Sequence, residues 1–166
     1  GLPDQALAHL EETLEACRAT LDDPTLTHTV LNTLGALYHQ LGRPEEALAC
    51  QREALEGTRL TLGDEHPLTL GKMTSVAASL RDAGELDEAL DLARAAADGF
   101  RRSLGGEHPD TLTSYGVLGE VLMSKGEHEE ALTRLQETLN QERRLLGDLH
   151  PDTLQAIYRM GQVLEN

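Results

Sequence analysis

A nine-residue stretch at 62–70, Leu-Gly-Asp-Glu-His-Pro-Leu-Thr-Leu, decides the fold because it returns twice at a fixed distance. Close variants of it appear at 104–112 and 146–154, each 42 residues after the one before. The same period relates a set of glycines and a set of Ala-Leu pairs: Gly42, Gly84 and Gly126; Ala47-Leu48, Ala89-Leu90 and Ala131-Leu132. A period of this length, carried by several residue types, indicates an array of stacked structural repeats.

Within each repeat the apolar residues recur mostly at spacings of three and four, which indicates α-helix and excludes strand. Residues 125–127 separate two such segments and are too few for anything but a tight turn between antiparallel helices. The sequence therefore predicts an all-α fold of stacked helix-turn-helix hairpins. Its eight helices are expected at 3–20, 25–41, 44–61, 67–83, 86–103, 109–124, 128–145 and 151–164.

The chain is predicted to be a single array that begins and ends in the middle of a hairpin. The first unit is one residue shorter than the others, since Ala6-Leu7 lies 41 residues before Ala47-Leu48. We expect a piece of a longer array, or end helices that something else covers. The predicted division is a half-repeat at 1–23, repeats at 24–65, 66–107 and 108–149, and a half-repeat at 150–166.

Composition narrows the classes of partner. The 166 residues carry a formal net charge of −15, which repels phosphate backbones and anionic lipid, so we predict no nucleic acid and no membrane surface as partners. No apolar run approaches the roughly 20 residues that a membrane span needs. Two cysteines, Cys17 and Cys50, form no disulfide framework, and a cytoplasmic location is predicted. Abundant Ala, Arg, Gly and Leu with few Lys favour a bacterial source.

The inventory of reactive side chains contains no recognisable catalytic or metal site. His66, His108 and His150 recur with the loop, and equivalent positions in neighbouring repeats lie roughly 10 Å apart or more. They cannot converge on one ion, whose ligands lie at about 2 Å. Acidic pairs such as Glu129-Glu130 stand at helix starts and are expected to be solvated. We predict no metal, no cofactor and no enzymatic activity, because phosphate-binding glycine loops and nucleophile motifs are also missing.

The helix pairs resemble the tetratricopeptide repeat (TPR), in the 42-residue form of kinesin light chains. The first helices carry a large residue followed by a small one at Leu34-Gly35, Val76-Ala77 and Leu118-Gly119. Small residues at these sites let two helices close to about 8–10 Å. The resemblance implies a right-handed α-solenoid of these hairpins. It assigns the spacing role to Gly35, Ala47, Ala77, Ala89, Gly119 and Ala131.

The first helices are expected to line a concave inner face, which is where a repeat array binds its partners. The side chains placed there are mostly small or uncharged, which suits an extended peptide or a partner helix. The same small residues could equally serve tight superhelical curvature. The predicted partner-binding residues are Asn32, Ala36, His39, Thr74, Arg81, Gly116, Glu120, Tyr158, Arg159 and Gln162.

Two branches of the family offer more specific comparisons. Kinesin-light-chain-like repeats usually place Asn on the inner face shortly before the Leu-Gly pair, and here only Asn32 fits. Chaperone-binding repeats clamp a terminal carboxylate with inner Lys, Arg and Asn. The matching positions here are neutral or acidic apart from Arg81 and Arg159, which argues against that clamp.

The function predicted from the sequence is a non-enzymatic protein-interaction scaffold. Its partner is expected to be a peptide or helix that is neutral to basic, because the acidic surface attracts cations. The alternative is self-association through the end helices, or a regulatory sensor segment of a larger signalling protein of the bacterial nucleotide-switch ATPase type. The half-hairpins at both ends motivate this alternative.

Overall fold

Eight helices and no strand make up the described part of the chain, which is residues 2–20 and 24–164 of a computed structural model. Side chains are described for 5–19 and 26–161. Every boundary lies within one residue of its predicted position, and the predicted all-α solenoid is confirmed. The helices are α1 (Leu2–Thr20), α2 (Pro24–Gln40), α3 (Pro44–Leu62), α4 (Pro67–Ala83), α5 (Leu86–Leu104), α6 (Pro109–Lys125), α7 (His128–Leu146) and α8 (Pro151–Leu164).

Consecutive helices pack as antiparallel hairpins, α2 with α3, α4 with α5 and α6 with α7. Each hairpin stacks on the next because α3 also contacts α4, and α5 also contacts α6. The first helices α4 and α6 approach each other on the inner side, and so do α6 and α8. Within the described residues, α2 and α4 make no such approach. The inner face therefore opens between the first two hairpins.

Small residues lie where the two helices of a hairpin come closest. Ala77, Ala89 and Ala131 are fully buried. A Cβ atom added to Gly119 would lie 2.6 Å from Cδ2 of Leu135, well inside van der Waals contact. Because the backbone approaches so closely, these sites fix the helix spacing that the repeat pattern predicted.

The repeated histidines cap the first helices. Nδ1 of His66 accepts a hydrogen bond from the backbone N–H of Leu68 at 3.2 Å, and His108 accepts one from Asp110 at 3.2 Å. His150 does the same for Asp152 at 3.3 Å. The proline that follows takes the first helical position, where no backbone N–H is needed. The His-Pro pair is thus a helix-start signal, a role that the sequence analysis did not assign.

Glycines end the helices in two different backbone conformations. Gly84 and Gly126 adopt the left-handed helical conformation, with φ of 82° and 83°. Gly63, Gly105 and Gly147 have φ near 85° but ψ between 162° and 166°. None of these three glycines therefore ends its helix in the left-handed helical conformation. They occupy an extended positive-φ region that is essentially restricted to glycine, and the chain turns there into the capping loop.

Loss of one histidine cap is expected to destabilise the array measurably. His108→Ala removes the side-chain acceptor at the start of α6 and is expected to lower the free energy of unfolding by about 0.5–2 kcal/mol. Chemical denaturation followed by circular dichroism measures this change. His108→Asn restores an acceptor and should recover most of the loss. His128→Ala, at an exposed histidine that caps no helix, is the control, and equal losses at both sites would contradict the capping role.

Ion pairs that link each second helix to the neighbouring repeat form two repeating ladders on the outer surface. In the first, Arg52 pairs with Glu85 and Glu88, and Arg94 pairs with Glu127 and Glu130 42 residues later. In the second, Arg102 pairs with Glu65 and Arg144 with Glu107. The expectation that acidic pairs at helix starts are merely solvated is therefore incomplete. Each exposed pair contributes little to stability, but together they mark the register between repeats.

Candidate protein-interaction groove

A groove of about 900 Å³ lies on the inner face between the first two hairpins. It exists because α2 and α4 stand apart while α3 bridges them. Its walls are side chains of α2 and α4, its floor comes from α3, and Phe100 and Asp110 lie at its edge.

The polar centre of the groove is a contact between its two walls. Nζ of Lys72 on α4 donates a hydrogen bond to Oδ1 of Asn32 on α2 at 3.0 Å. Burial lowers the pKa of Lys72, and burial together with the charge on Lys72 lowers the pKa of His28. Among the described residues no carboxylate forms an ion pair with Lys72. The groove therefore holds a half-buried cation within a strongly acidic protein.

The floor supplies acceptors and hydroxyl groups. Oε1 of Gln51 is buried beside the groove and has no hydrogen-bond partner among the described residues. The hydroxyls of Thr58 and Thr61 donate to backbone carbonyls of their own helix, at 2.7 Å and 2.9 Å. Gly57 lies directly under the ring of His28, so any side chain at this position would displace the histidine. The floor is thus shaped by close helix approach and leaves one acceptor unsatisfied.

Three of the predicted partner-binding residues line this groove, namely Asn32, Ala36 and His39. All three are exposed. Thr74, one repeat after Asn32, is only 9% exposed, and its hydroxyl donates to the carbonyl of Leu70. It does not line the groove.

Further along the inner face, three other predicted residues form an ion cluster. Glu120 on α6 pairs with Arg81 on α4 and with Arg159 on α8. Burial lowers the pKa of Arg159, and its guanidinium lies against Gly116, where an added Cβ would be 2.6 Å from Nη1. The cluster therefore joins the first helices of three hairpins. These side chains are engaged within the array rather than open to a partner.

Two predicted residues remain at the end of the array. Tyr158 is 67% exposed on α8 and lies far along the inner face from Asn32. The side chain of Gln162 lies outside the described residues. The predicted residues therefore do not form one site: Asn32, Ala36 and His39 line the groove, Gly116 and three charged residues belong to the ion cluster, and Thr74 and Tyr158 lie outside both.

Sequence reasoning missed two parts of the groove, namely the side chains of α3 and Lys72 of α4. The prediction considered first helices alone, whereas Gln51, Thr58 and Thr61 belong to a second helix. Lys72 has Ser114 at the equivalent position one repeat later, so the period gives no indication of its role. The sequence did contain an indication for His28, which lines the groove. A histidine stands there, whereas the equivalent positions of the next two repeats, Leu70 and Leu112, are apolar.

Other kinds of site find no support in the described part of the chain. No three His, Cys, Asp or Glu side chains in residues 5–19 and 26–161 are grouped as metal ligands. Cys17 and Cys50 are buried free thiols, and burial raises the pKa of Cys50. None of the described helices combines the length and apolar character needed to cross a membrane.

Comparison with known families agrees with this architecture. The tetratricopeptide repeat family model matches residues 1–59, 26–70, 71–138 and 116–165, which together span almost the whole chain. The chain belongs to the tetratricopeptide repeat family. TPR arrays are typically non-enzymatic interaction scaffolds, and nothing in the described residues indicates catalysis. No curated protein matches the sequence.

Solved structures with the same fold include kinesin light chain-like TPR proteins. Two crystal structures of the nearly identical TPR-like repeats of a kinesin light chain from Podosopora anserina superpose with TM-scores of 0.84 and 0.81 at 22% identity. Each alignment covers 98% of this chain and 77% or 78% of the other. BtubC (BKLC) from P. vanneervenii gives a TM-score of 0.82 at 21% identity, over 99% of this chain and 66% of that one. At this identity the likeness establishes the fold alone.

Proposed function

We propose that this TPR chain is a non-enzymatic scaffold that holds an extended peptide segment in the groove between α2 and α4. The observation that carries the proposal is the open groove of about 900 Å³, which is lined by both hydrogen-bond donors and hydrogen-bond acceptors. An extended peptide presents backbone carbonyls and N–H groups that need partners when they leave water. Lys72 and Asn32 can donate to a carbonyl, and the exposed hydroxyl oxygen of Thr61 can accept from an N–H.

The charge distribution suggests how the partner is selected. The net charge of −15 lies mainly outside the groove and favours a partner that is neutral to basic over most of its length. Lys72 requires an acceptor oxygen on the segment that enters the groove. We therefore propose a neutral-to-basic partner that places a carbonyl or a single carboxylate beside Lys72. Two buried free cysteines fit a reducing cytoplasmic location for this scaffold.

The ion cluster of Arg81, Glu120 and Arg159 has a supporting role in this proposal. It holds the first helices of three hairpins together and so preserves the curvature of the inner face. The repeat division predicted from the sequence gives each hairpin one such first helix. Tyr158 and Gln162 extend the proposed binding face toward α8 when a longer partner is bound.

Filling the groove is expected to abolish peptide binding without unfolding the array. A library of random 12-residue peptides, of a length typical of groove-bound segments at about 3.3 Å per residue, is selected against the wild-type chain. Gly71→Leu places a side chain in open space within the groove, since nothing lies within 4 Å of its Cβ position. Selected peptides should lose about tenfold or more in affinity.

The matched control is Ala49→Leu, at an exposed position of α3 that does not line the groove. It adds a similar side chain outside the site and should leave affinity unchanged. Lys72→Met should weaken binding while preserving the shape of the groove. Equal binding by wild type and Gly71→Leu, at unchanged melting temperature, would remove the groove from the proposed function.

A further inference from the structure

One end of the groove, beside the loop between α3 and α4, is apolar. Antiparallel packing of the hairpins brings the C-terminal ends of α3 and α5 to the same side as the starts of α4 and α6. Four apolar residues line the groove there, and we call them the apolar end: Leu62, Pro67, Leu68 and Phe100. Leu62 is 46% exposed and Leu68 is 62% exposed, so this end keeps a large uncovered apolar surface.

Leu68 gains little for the fold at its own position. It is the second residue of α4, in the first turn, where the helix dipole favours an acidic side chain. The next two repeats place Asp110 and Asp152 at the equivalent position. Leu26, one repeat earlier, is also a leucine, but it is only 39% exposed and does not line the groove. The fold therefore accepts an acid where Leu68 stands, and the exposed leucine coincides with the groove.

A carboxylate lies beside the apolar end. Asp110 lines the edge of the groove, and its side chain is 60% exposed. Among the described residues no Lys or Arg forms an ion pair with it. Lys72 reaches toward α2, where it contacts Asn32, whereas Asp110 belongs to α6 on the other side of α4. The groove thus offers a cation, then the apolar surface around Leu68, and then a carboxylate.

These three features together define a complementary segment. A large apolar side chain would remove the surface of Leu62 and Leu68 from water, and opposite charges across an interface select the partner. On the basis of the proposed peptide-binding function, we infer that the groove selects a segment in which a large apolar side chain, seated on Leu62 and Leu68, adjoins a Lys or Arg that pairs with Asp110. An acidic neighbour in the segment is disfavoured by Asp110 and by the net charge of −15.

Peptide selection tests this composition. Peptides of about 12 random residues, selected against the wild-type chain, should be enriched in Leu, Ile, Met or Phe next to Lys or Arg. Replacing the apolar residue of a selected peptide by Ser should lower its affinity about tenfold or more, because that side chain would stay in water. Replacing the basic residue by Glu should lower the affinity about twofold or more. Isothermal titration calorimetry measures each affinity.

Leu68→Asp tests the apolar end from the side of the protein. The variant carries the residue that the next two repeats have, so its melting temperature should be unchanged or higher. Its affinity for a selected peptide should fall about tenfold. The added negative charge attracts a basic segment, so the loss reports the apolar contact. The peptide whose apolar residue is already Ser should bind Leu68→Asp no more weakly than it binds wild type.

Two matched controls lie outside the groove. Leu149→Glu replaces an 87% exposed leucine by the acid that Glu65 and Glu107 supply at the equivalent position, and it should leave the affinity unchanged. Asp110→Asn should weaken binding about two- to fivefold and remove the preference for Lys or Arg. Asp152→Asn, at the equivalent position of α8, should do neither.

The outcomes separate this inference from the proposed function. Selected peptides without a large apolar residue, or equal affinity of a selected peptide for Leu68→Asp and wild type, would overturn the inference. If Gly71→Leu then abolishes binding, the groove still binds peptides and the composition alone is wrong. If Gly71→Leu also leaves binding unchanged, or if no peptide is selected at all, the inference and the proposed function fall together.

Discussion

A leucine in place of Ala89 is expected to lower the free energy of unfolding by about 1–3 kcal/mol or more, because the added carbons have no space to occupy. Ala89 is fully buried near the start of α5, where α4 and α5 come together. The larger side chain must push the two helices apart or adopt a strained rotamer. Since each hairpin is stabilised by its neighbours, the displacement also weakens the stacking on either side.

Urea unfolding followed by far-UV circular dichroism measures the change. Ala95→Leu is the control, because Ala95 lies on the same helix but is exposed. Alanine and leucine are both strong helix formers, so the control is expected to stay within about 0.5 kcal/mol of wild type. Equal destabilisation by both substitutions would show that helix spacing at Ala89 does not determine the stability of the array.

Replacing Glu142 by glutamine is expected to stabilise the protein by an amount that grows as the pH rises from about 4.5 to about 7. Glu142 is 4% exposed in α7, and its Oε2 atom is buried without a hydrogen-bond partner in the described residues. Burial raises the pKa of this carboxyl from 4.5 to about 7, although Arg159 partly opposes the effect. The ionised form is therefore disfavoured in the folded protein relative to the unfolded chain.

The direction of the pH dependence follows from this shift. Below pH 4.5 Glu142 is protonated in both states and costs nothing, whereas above pH 7 the folded protein must hold a buried charge. Between these two values only the unfolded chain ionises, so the wild-type protein loses stability progressively until the folded carboxyl also ionises near pH 7, and Glu142→Gln does not. The advantage of the variant should grow from near zero at low pH to about 2–3 kcal/mol at high pH.

Unfolding free energies measured at several pH values test this prediction as a difference between variant and wild type. Glu137→Gln is the matched control on the same helix, since Glu137 is exposed. Its difference from wild type should be small and should not grow across the pH range where Glu142 titrates. A stability difference between Glu142→Gln and wild type that is constant with pH, or that shrinks as pH rises, would contradict the raised pKa of a buried Glu142 carboxyl.

The helices and their spacing could be predicted from the sequence because both depend on local patterns. Apolar spacing locates all eight helices, and Ala89 and Ala131 mark the close approaches between helices. The capping role of His108 was within reach, since His precedes Pro at a helix start, but histidine is a less familiar cap than Ser or Asp. The backbone conformation of Gly105 could not be predicted, because its ψ depends on how the loop joins two helices.

The groove could be predicted only in part because it depends on distances between helices. Asn32 and His39 were placed on the inner face by counting around α2, and the structure puts both in the groove. Whether α2 and α4 touch is a property of stacking that periodicity does not report. Long side chains also reach across repeats, so Arg159 and Glu120 form an ion pair instead of facing solvent. The burial of Glu142 could have been predicted, since Phe100 occupies the equivalent position one repeat earlier and is buried.

Chemical-shift mapping of the isotope-labelled chain with a selected peptide tests the proposed binding groove most directly. The largest changes are expected in the backbone amides of the helix stretches that line it, at 28–39, 51–62 and 67–76. Amides on the outer surface of α5 and α7 should not move. Changes confined to that outer surface, or to α1 and α8 at the two ends, would contradict the account, because the peptide would then bind where the array has no groove.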